Sequence, residues 1–114
     1  MASSKKYLDY ILEQLSGLEG ISFRPMMGEY ILYYQGKVIG GVYDDRFLLK
    51  PTRAALSRMP GASLEAPSEG AKEMLLADEV DNALLLRETI EAMAGELPAP
   101  KKTGTARVRR TGTG

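Results

Sequence analysis

Apolar positions recur along this chain in two rhythms. Tyr7, Leu8, Ile11, Leu12, Leu15 and Leu18 fall three and four residues apart, which gathers them on one helical stripe. Ser3 and Ser4 stand where an N-cap belongs, and Gly17 and Gly20 end the element. From Ile21 the rhythm shortens. Ile21–Arg24 alternates as a strand that Pro25 ends or relegates to a sheet edge. Tyr30–Tyr34, Lys37–Tyr43 and Arg46–Lys50 are apolar and aromatic runs separated by Gln35-Gly36 and Asp44-Asp45, both tight-turn signals. They predict a three-strand meander. Pro51-Thr52 opens a short helix that closes at Pro60-Gly61, and residues 61–72 read as loop. Met74–Ala77 reads as a short buried strand. A last helix is capped by Asp81, with Leu84, Leu85, Ile90, Met93, Ala94 and Leu97 on its apolar side. The order α-β-β-β-β-α-β-α implies a two-layer α+β domain. Its antiparallel sheet has about four or five strands, with helices on one face.

If both hairpin turns are two-residue loops, the register follows. Tyr33 then faces Val38, Ile31 faces Gly40, Val42 faces Phe47, and Gly40 faces Leu49. That side is apolar or glycine and is assigned to the helices. The opposite side collects Tyr30, Leu32, Tyr34, Ile39, Tyr43 and Leu48, with Lys37, Gly41, Arg46 and Lys50 among them. Such a face is too apolar for a merely solvated one, and it is assigned here as a surface for a protein partner or a second copy. The plainer reading is an exposed or internally covered sheet, since tyrosine is a good strand former. A one-residue bulge would exchange the faces beyond it.

Composition narrows the chemistry. The 114 residues contain no histidine and no cysteine. The commonest general base, the usual zinc ligands and any thiolate are therefore missing, and no disulfide can form. This favours a binding module over an enzyme, with no cofactor and no metal expected. Asp78, Glu79 and Asp81 lack calcium-loop spacing and suit a helix start. Arg24 beside Gly28 could cradle an anion; the favoured alternative pairs Arg24 with a carboxylate and gives Gly28 a turn conformation. Gly40-Gly41 inside a strand marks close approach of a neighbour. No apolar run is long enough for a membrane span and no signal peptide is visible, so the cytoplasm is the default location.

The net charge of zero conceals a division. Residues 1–98 carry ten Lys+Arg against fifteen Asp+Glu, whereas residues 99–114 carry Lys101, Lys102, Arg107, Arg109 and Arg110 and no acid. The prolines at 98 and 100 separate an α+β domain (1–98) from a stretch too poor in apolar residues to fold, read as a flexible basic tail (99–114). Those five cations are candidate nucleic-acid contacts; the simpler alternative is a solubilising terminus.

At Arg24-x-Met26-x-Gly28 the chain resembles the N-terminal domain of the TfoX/Sxy family of bacterial competence regulators. Leu32, Tyr33, Gly36, the Asp44-Asp45 turn, Leu49 and Lys50 continue the match in order, while Met27, Glu29, Gln35 and Leu48 depart from it. The resemblance implies a two-layer α+β fold and a part in regulating competence-type gene expression. The leading expectation is a non-enzymatic regulatory or protein-interaction module. A nucleic-acid-associated protein using its tail is the alternative, and a small-molecule-binding domain comes last.

Overall fold

The computed structural model describes residues 4–98. Among them the chain forms helix α1 (Lys5–Gln14), strands β1 (Ile21–Met26), β2 (Glu29–Tyr34), β3 (Lys37–Tyr43) and β4 (Arg46–Leu49), and helix α2 (Arg53–Arg58). Strands β5 (Leu64–Glu65) and β6 (Met74–Leu76) and helix α3 (Ala83–Ala94) follow. The strands make one antiparallel sheet in the order β1-β2-β3-β4-β6-β5. The expected α+β architecture is present. The sheet has six strands, because the stretch read as loop contributes the two-residue β5, too short for a period-two pattern to reveal. The tail and its five cations lie outside the described residues.

Three hairpins in succession build β1 to β4. Their turn residues all have positive φ: Met27 and Gly28 (52° and 87°), Gln35 and Gly36 (53° and 81°), Asp44 and Asp45 (53° and 56°). Positive φ at both positions is the mark of the type I′ turn, whose twist matches that of the flanking strands. Gly28 and Gly36 thus occupy left-handed positions.

Helix caps follow side-chain chemistry. The Ser4 hydroxyl accepts from the Tyr7 N–H, Thr52 Oγ1 from Ala55 N–H, and Asn82 Oδ1 from Leu85 N–H. Asn82 thus takes the place expected of Asp81, whose carboxylate instead accepts the Tyr10 hydroxyl and ties α1 to the start of α3. Two further ties cross between elements. The Glu96 carboxylate accepts the Arg53 and Ala54 N–H groups, both at 2.9 Å, at the start of α2. Lys37 Nζ donates to the Ala94 carbonyl at 2.8 Å, placing a cation at the C-terminal end of α3.

The core lies between one sheet face and the helices. Leu8 and Ile11 from α1 and Leu15 at its C-cap, Ala55 from α2, and Leu86, Ile90 and Met93 from α3 meet Leu32, Tyr34, Ile39, Val42, Phe47 and Leu49 from the sheet. At about 25 cal/mol per Å² of apolar surface buried, each fully buried leucine or phenylalanine contributes about 1.5–3 kcal/mol. Thr89 Oγ1 on α3 is the buried side-chain oxygen in this layer without a hydrogen bond among the described residues.

Candidate interaction surface

The sheet has two faces, and a bulge decides which residues lie on each. Pairing of β2 with β3 runs Tyr34·Lys37 and Tyr33·Val38, then shifts, and continues Leu32·Gly40, Ile31·Gly41 and Tyr30·Val42. Ile39 is the extra residue. Both Ile39 and Gly40 therefore lie opposite Leu32, and everything in β2 changes sides relative to a bulge-free hairpin. Pairing of β3 with β4 has no such shift: Gly40·Leu49, Gly41·Leu48, Val42·Phe47 and Tyr43·Arg46.

Much of the expected partner face is consequently core. Leu32 and Ile39 are fully buried, Tyr34 nearly so, and all three belong to the cluster under the helices. Tyr30 packs against that cluster, with its ring edge-on to Phe23 at 5.9 Å between centroids. Tyr43 and Leu48 do lie on the face away from the helices, as expected. Leu48 is nevertheless 0% exposed and outside the core cluster, so it is not available to a partner. A Leu48→Glu change would bury a carboxylate and test folding rather than assembly.

The outward face is instead built from Ile31 and Tyr33 of β2, Val38 and Tyr43 of β3, and Arg46 of β4, all half-buried. A bulge-free register assigns Ile31, Tyr33 and Val38 to the core side, and the bulge reverses that. The signal that could have placed them was Gly40-Gly41, since paired glycines within a strand accompany bulges. Each glycine has its own reason. A Cβ on Gly40, at φ +152°, would stand 2.0 Å from the Leu48 carbonyl oxygen. One on Gly41 would stand 2.4 Å from the Tyr30 carbonyl oxygen and 2.9 Å from the Tyr43 ring. The close approach expected at these glycines is real, but backbone and Tyr43 make it.

Tyr43 therefore lies across Gly41. Burial, then the charge of Glu29 and then Tyr33, hold its phenol above the usual tyrosine pKa of 10. Arg46 fastens one end of the face. Its Nε donates to the Tyr43 carbonyl at 3.2 Å, Nη1 to Glu65 Oε1 at 2.9 Å and to the Ala66 carbonyl at 3.2 Å, and Nη2 to the Pro67 carbonyl at 3.2 Å. Beside the same turn, on the β2 side, the Glu29 carboxylate accepts the Asp44 N–H at 3.0 Å.

Arg24 and Met26 sit on the exposed strand β1, and Lys50 follows β4 with its N–H donating to the Ile39 carbonyl at 2.9 Å. The motif residues thus serve an edge strand, two turns and a ladder bond rather than one pocket. The expected carboxylate partner for Arg24 is not found: it forms no ion pair among the described residues. Asp78 and Glu79 line a small recess beside Arg58 and Met59 at the end of α2. No helix among the described residues is long and apolar enough to cross a membrane.

The family model for the TfoX N-terminal domain matches residues 13–92. An uncharacterized 12.7 kDa protein in the trpE 5′ region of Spirochaeta aurantia is 34% identical over 102 residues, covering 89% of each chain. No solved structure matches this chain.

Proposed function

The chain belongs to the TfoX N-terminal domain family, and we propose that it acts as a non-catalytic interaction domain in bacterial transcriptional regulation, in the cytoplasm. One observation carries the binding role. Ile31, Tyr33, Val38 and Tyr43 gather on the sheet face opposite the helices, where two tyrosines offer contact area with polar tips. Absence of histidine and cysteine from the sequence supports binding over catalysis. The regulatory part rests on kinship, since the matched family is that of the competence regulators' N-terminal domain.

Transcript profiles provide the test. A deletion strain should alter expression of a defined gene set, and a chromosomal Val38→Glu strain should reproduce it. Leu84→Glu, at an exposed position on α3, should follow the wild type. A deletion that alters no transcripts defeats the regulatory reading. A Val38→Glu strain that matches the wild type, with its protein level intact, defeats the face as the binding surface.

A further inference from the structure

The two edges of the sheet are unequal. β5 is two residues long, which blunts its edge, whereas β1 is six residues long and exposed beyond Ile21. Hydrogen-bond parity says what β1 offers. The two-residue turn Met27-Gly28 makes Met26·Glu29 the bonded closing pair, so Met26, Arg24 and Ser22 turn their backbone groups toward β2. The Gly20 carbonyl, accepting from Gln35 N–H at 2.8 Å, agrees with that parity. Ile21 and Phe23 therefore direct N–H and C=O outward. Pro25 also faces outward, where its missing N–H costs no internal bond.

Side chains add two further constraints. Ile21 and Phe23 pair with Tyr34 and Leu32 and so lie on the helix side. There, with Leu12, Leu15 and Leu18, they line an open, mostly apolar groove of about 450 Å³. Phe23 remains 40% exposed in it. On the opposite side Arg24 is exposed and has no ion-pair partner among the described residues.

The geometry points to β1 as a docking edge for an extended acidic–apolar peptide segment of a partner protein, added antiparallel as a seventh strand. In that register a carboxylate meets Arg24, one apolar side chain pairs with Phe23 over the groove, and a second pairs with Ile21. Charge selects this occupant over a second copy of the chain. Self-pairing about Phe23 would set Arg24 opposite Ser22 and leave both guanidinium groups unmatched. It would also set Pro25 opposite Ile21 twice, losing two donors. The inference rests on reading the domain as an interaction module and uses the β1 edge, which borders the Tyr33–Tyr43 face through the Arg24·Ile31 and Ser22·Tyr33 pairs.

The test uses the full chain and a fluorescent peptide, acetyl-Ala-Asp-Val-Thr-Ile-Ala-amide, with binding followed by anisotropy and amide shifts by NMR. Saturable binding is expected, with shifts at residues 21–24. N-methylation of the peptide's valine, whose N–H would meet the Phe23 carbonyl, should abolish it. Replacing the peptide's aspartate by lysine should weaken binding about tenfold, and Arg24→Glu should reverse that preference. Equal binding of the N-methylated peptide overturns the proposal. So do shifts confined to the Tyr33–Tyr43 face, which leave the function proposed above standing. A concentration-dependent dimer through β1, with no peptide bound, also overturns it by making a second copy the occupant.

Discussion

The two hairpins that share β3 have the same turn chemistry and different fates. Gln35-Gly36 and Asp44-Asp45 both close two-residue turns with positive φ at each position. Yet pairing runs unbroken from Tyr43·Arg46 to Gly40·Leu49 on one side of β3, and slips after Tyr33·Val38 on the other. A turn determines register only as far as the first bulge. Beyond it, one inserted residue exchanges the faces, and here that exchange moves Leu32 and Tyr34 into the core and Ile31 and Tyr33 out of it. β3 tolerates the asymmetry because Gly40 takes a backbone conformation that other residues rarely adopt and lies against β4 where a Cβ would not fit.

The most damaging way to break this comparison is to put a side chain at Gly40. The obstructing atoms are backbone, the Leu48 carbonyl oxygen at 2.0 Å and Leu49 Cα at 2.8 Å, so no rotamer change relieves them. Gly40→Val should cost on the order of 3–5 kcal/mol, read as a lowered urea midpoint. A loss under about 1 kcal/mol would show that β4 does not approach Gly40 this closely. Next comes Leu48, fully buried on the face without helices. Leu48→Ala should cost about 2–4 kcal/mol, close to the loss from Leu49→Ala on the core side. A near-neutral Leu48→Ala would mean that the outward face is looser than its burial suggests. Gly41→Ala follows at about 2 kcal/mol. Part of that cost is the clash with the Tyr43 ring, so it should shrink when measured in a Tyr43→Ala background, whereas the clash with the Tyr30 carbonyl persists.

Legibility followed the same asymmetry. The helices, the meander and both turns were readable because each rests on local chemistry: i, i+3, i+4 stripes, caps, and Gly or Asp at turns. The second hairpin was readable too, since its alternation has no interruption. The first is ambiguous because apolar residues occupy both phases of β2. Tyr30, Ile31, Leu32, Tyr33 and Tyr34 satisfy either face, and only the tertiary choice to bury Leu32 breaks the tie. For the same reason the candidate partner surface kept Tyr43 and lost Tyr30, Leu32, Tyr34 and Ile39. Leu48 was on the expected face, but its burial arises from neighbours that strand alternation does not reveal. β5 leaves no trace in the sequence because two residues carry no period. The β1 edge depended on strand order, a non-local property; Pro25 hinted at it.

A milder perturbation separates the fastened end of the outward face from the rest. Arg46 spans Tyr43, Glu65, Ala66 and Pro67 with a planar fork that lysine cannot reproduce. Arg46→Lys should cost about 1–2 kcal/mol, since the bond to Glu65 is partly exposed and the carbonyl bonds carry most of the loss. Hydrogen exchange should quicken around residues 65–67 while β2 keeps its protection. Uniform quickening would mean that Arg46 supports the whole sheet.

The smallest effect is alkaline and compares the two faces through their tyrosines. Tyr43 on the outward face, Tyr7 on α1 and Tyr10 beside Asp81 all hold their phenolic protons more tightly in the fold than in the unfolded chain. For Tyr43 and Tyr7 burial is the main cause; for Tyr10 it is the hydrogen bond to Asp81. A raised folded pKa means that the native state binds more protons than the unfolded state above pH 10, so stability falls as pH rises there. The contribution is fully present below the unfolded value of about 10 and disappears as pH passes the folded values. Melting temperature should therefore drop between pH 9 and 11. Lysine titration overlaps this window, but Tyr43→Phe isolates the phenol while keeping the ring over Gly41. That variant should flatten part of the drop and leave the Tm at pH 7 nearly unchanged. If its alkaline slope matches the wild type, Tyr43 is as solvated as a free phenol, and the outward face is more open than the ring's position over Gly41 implies.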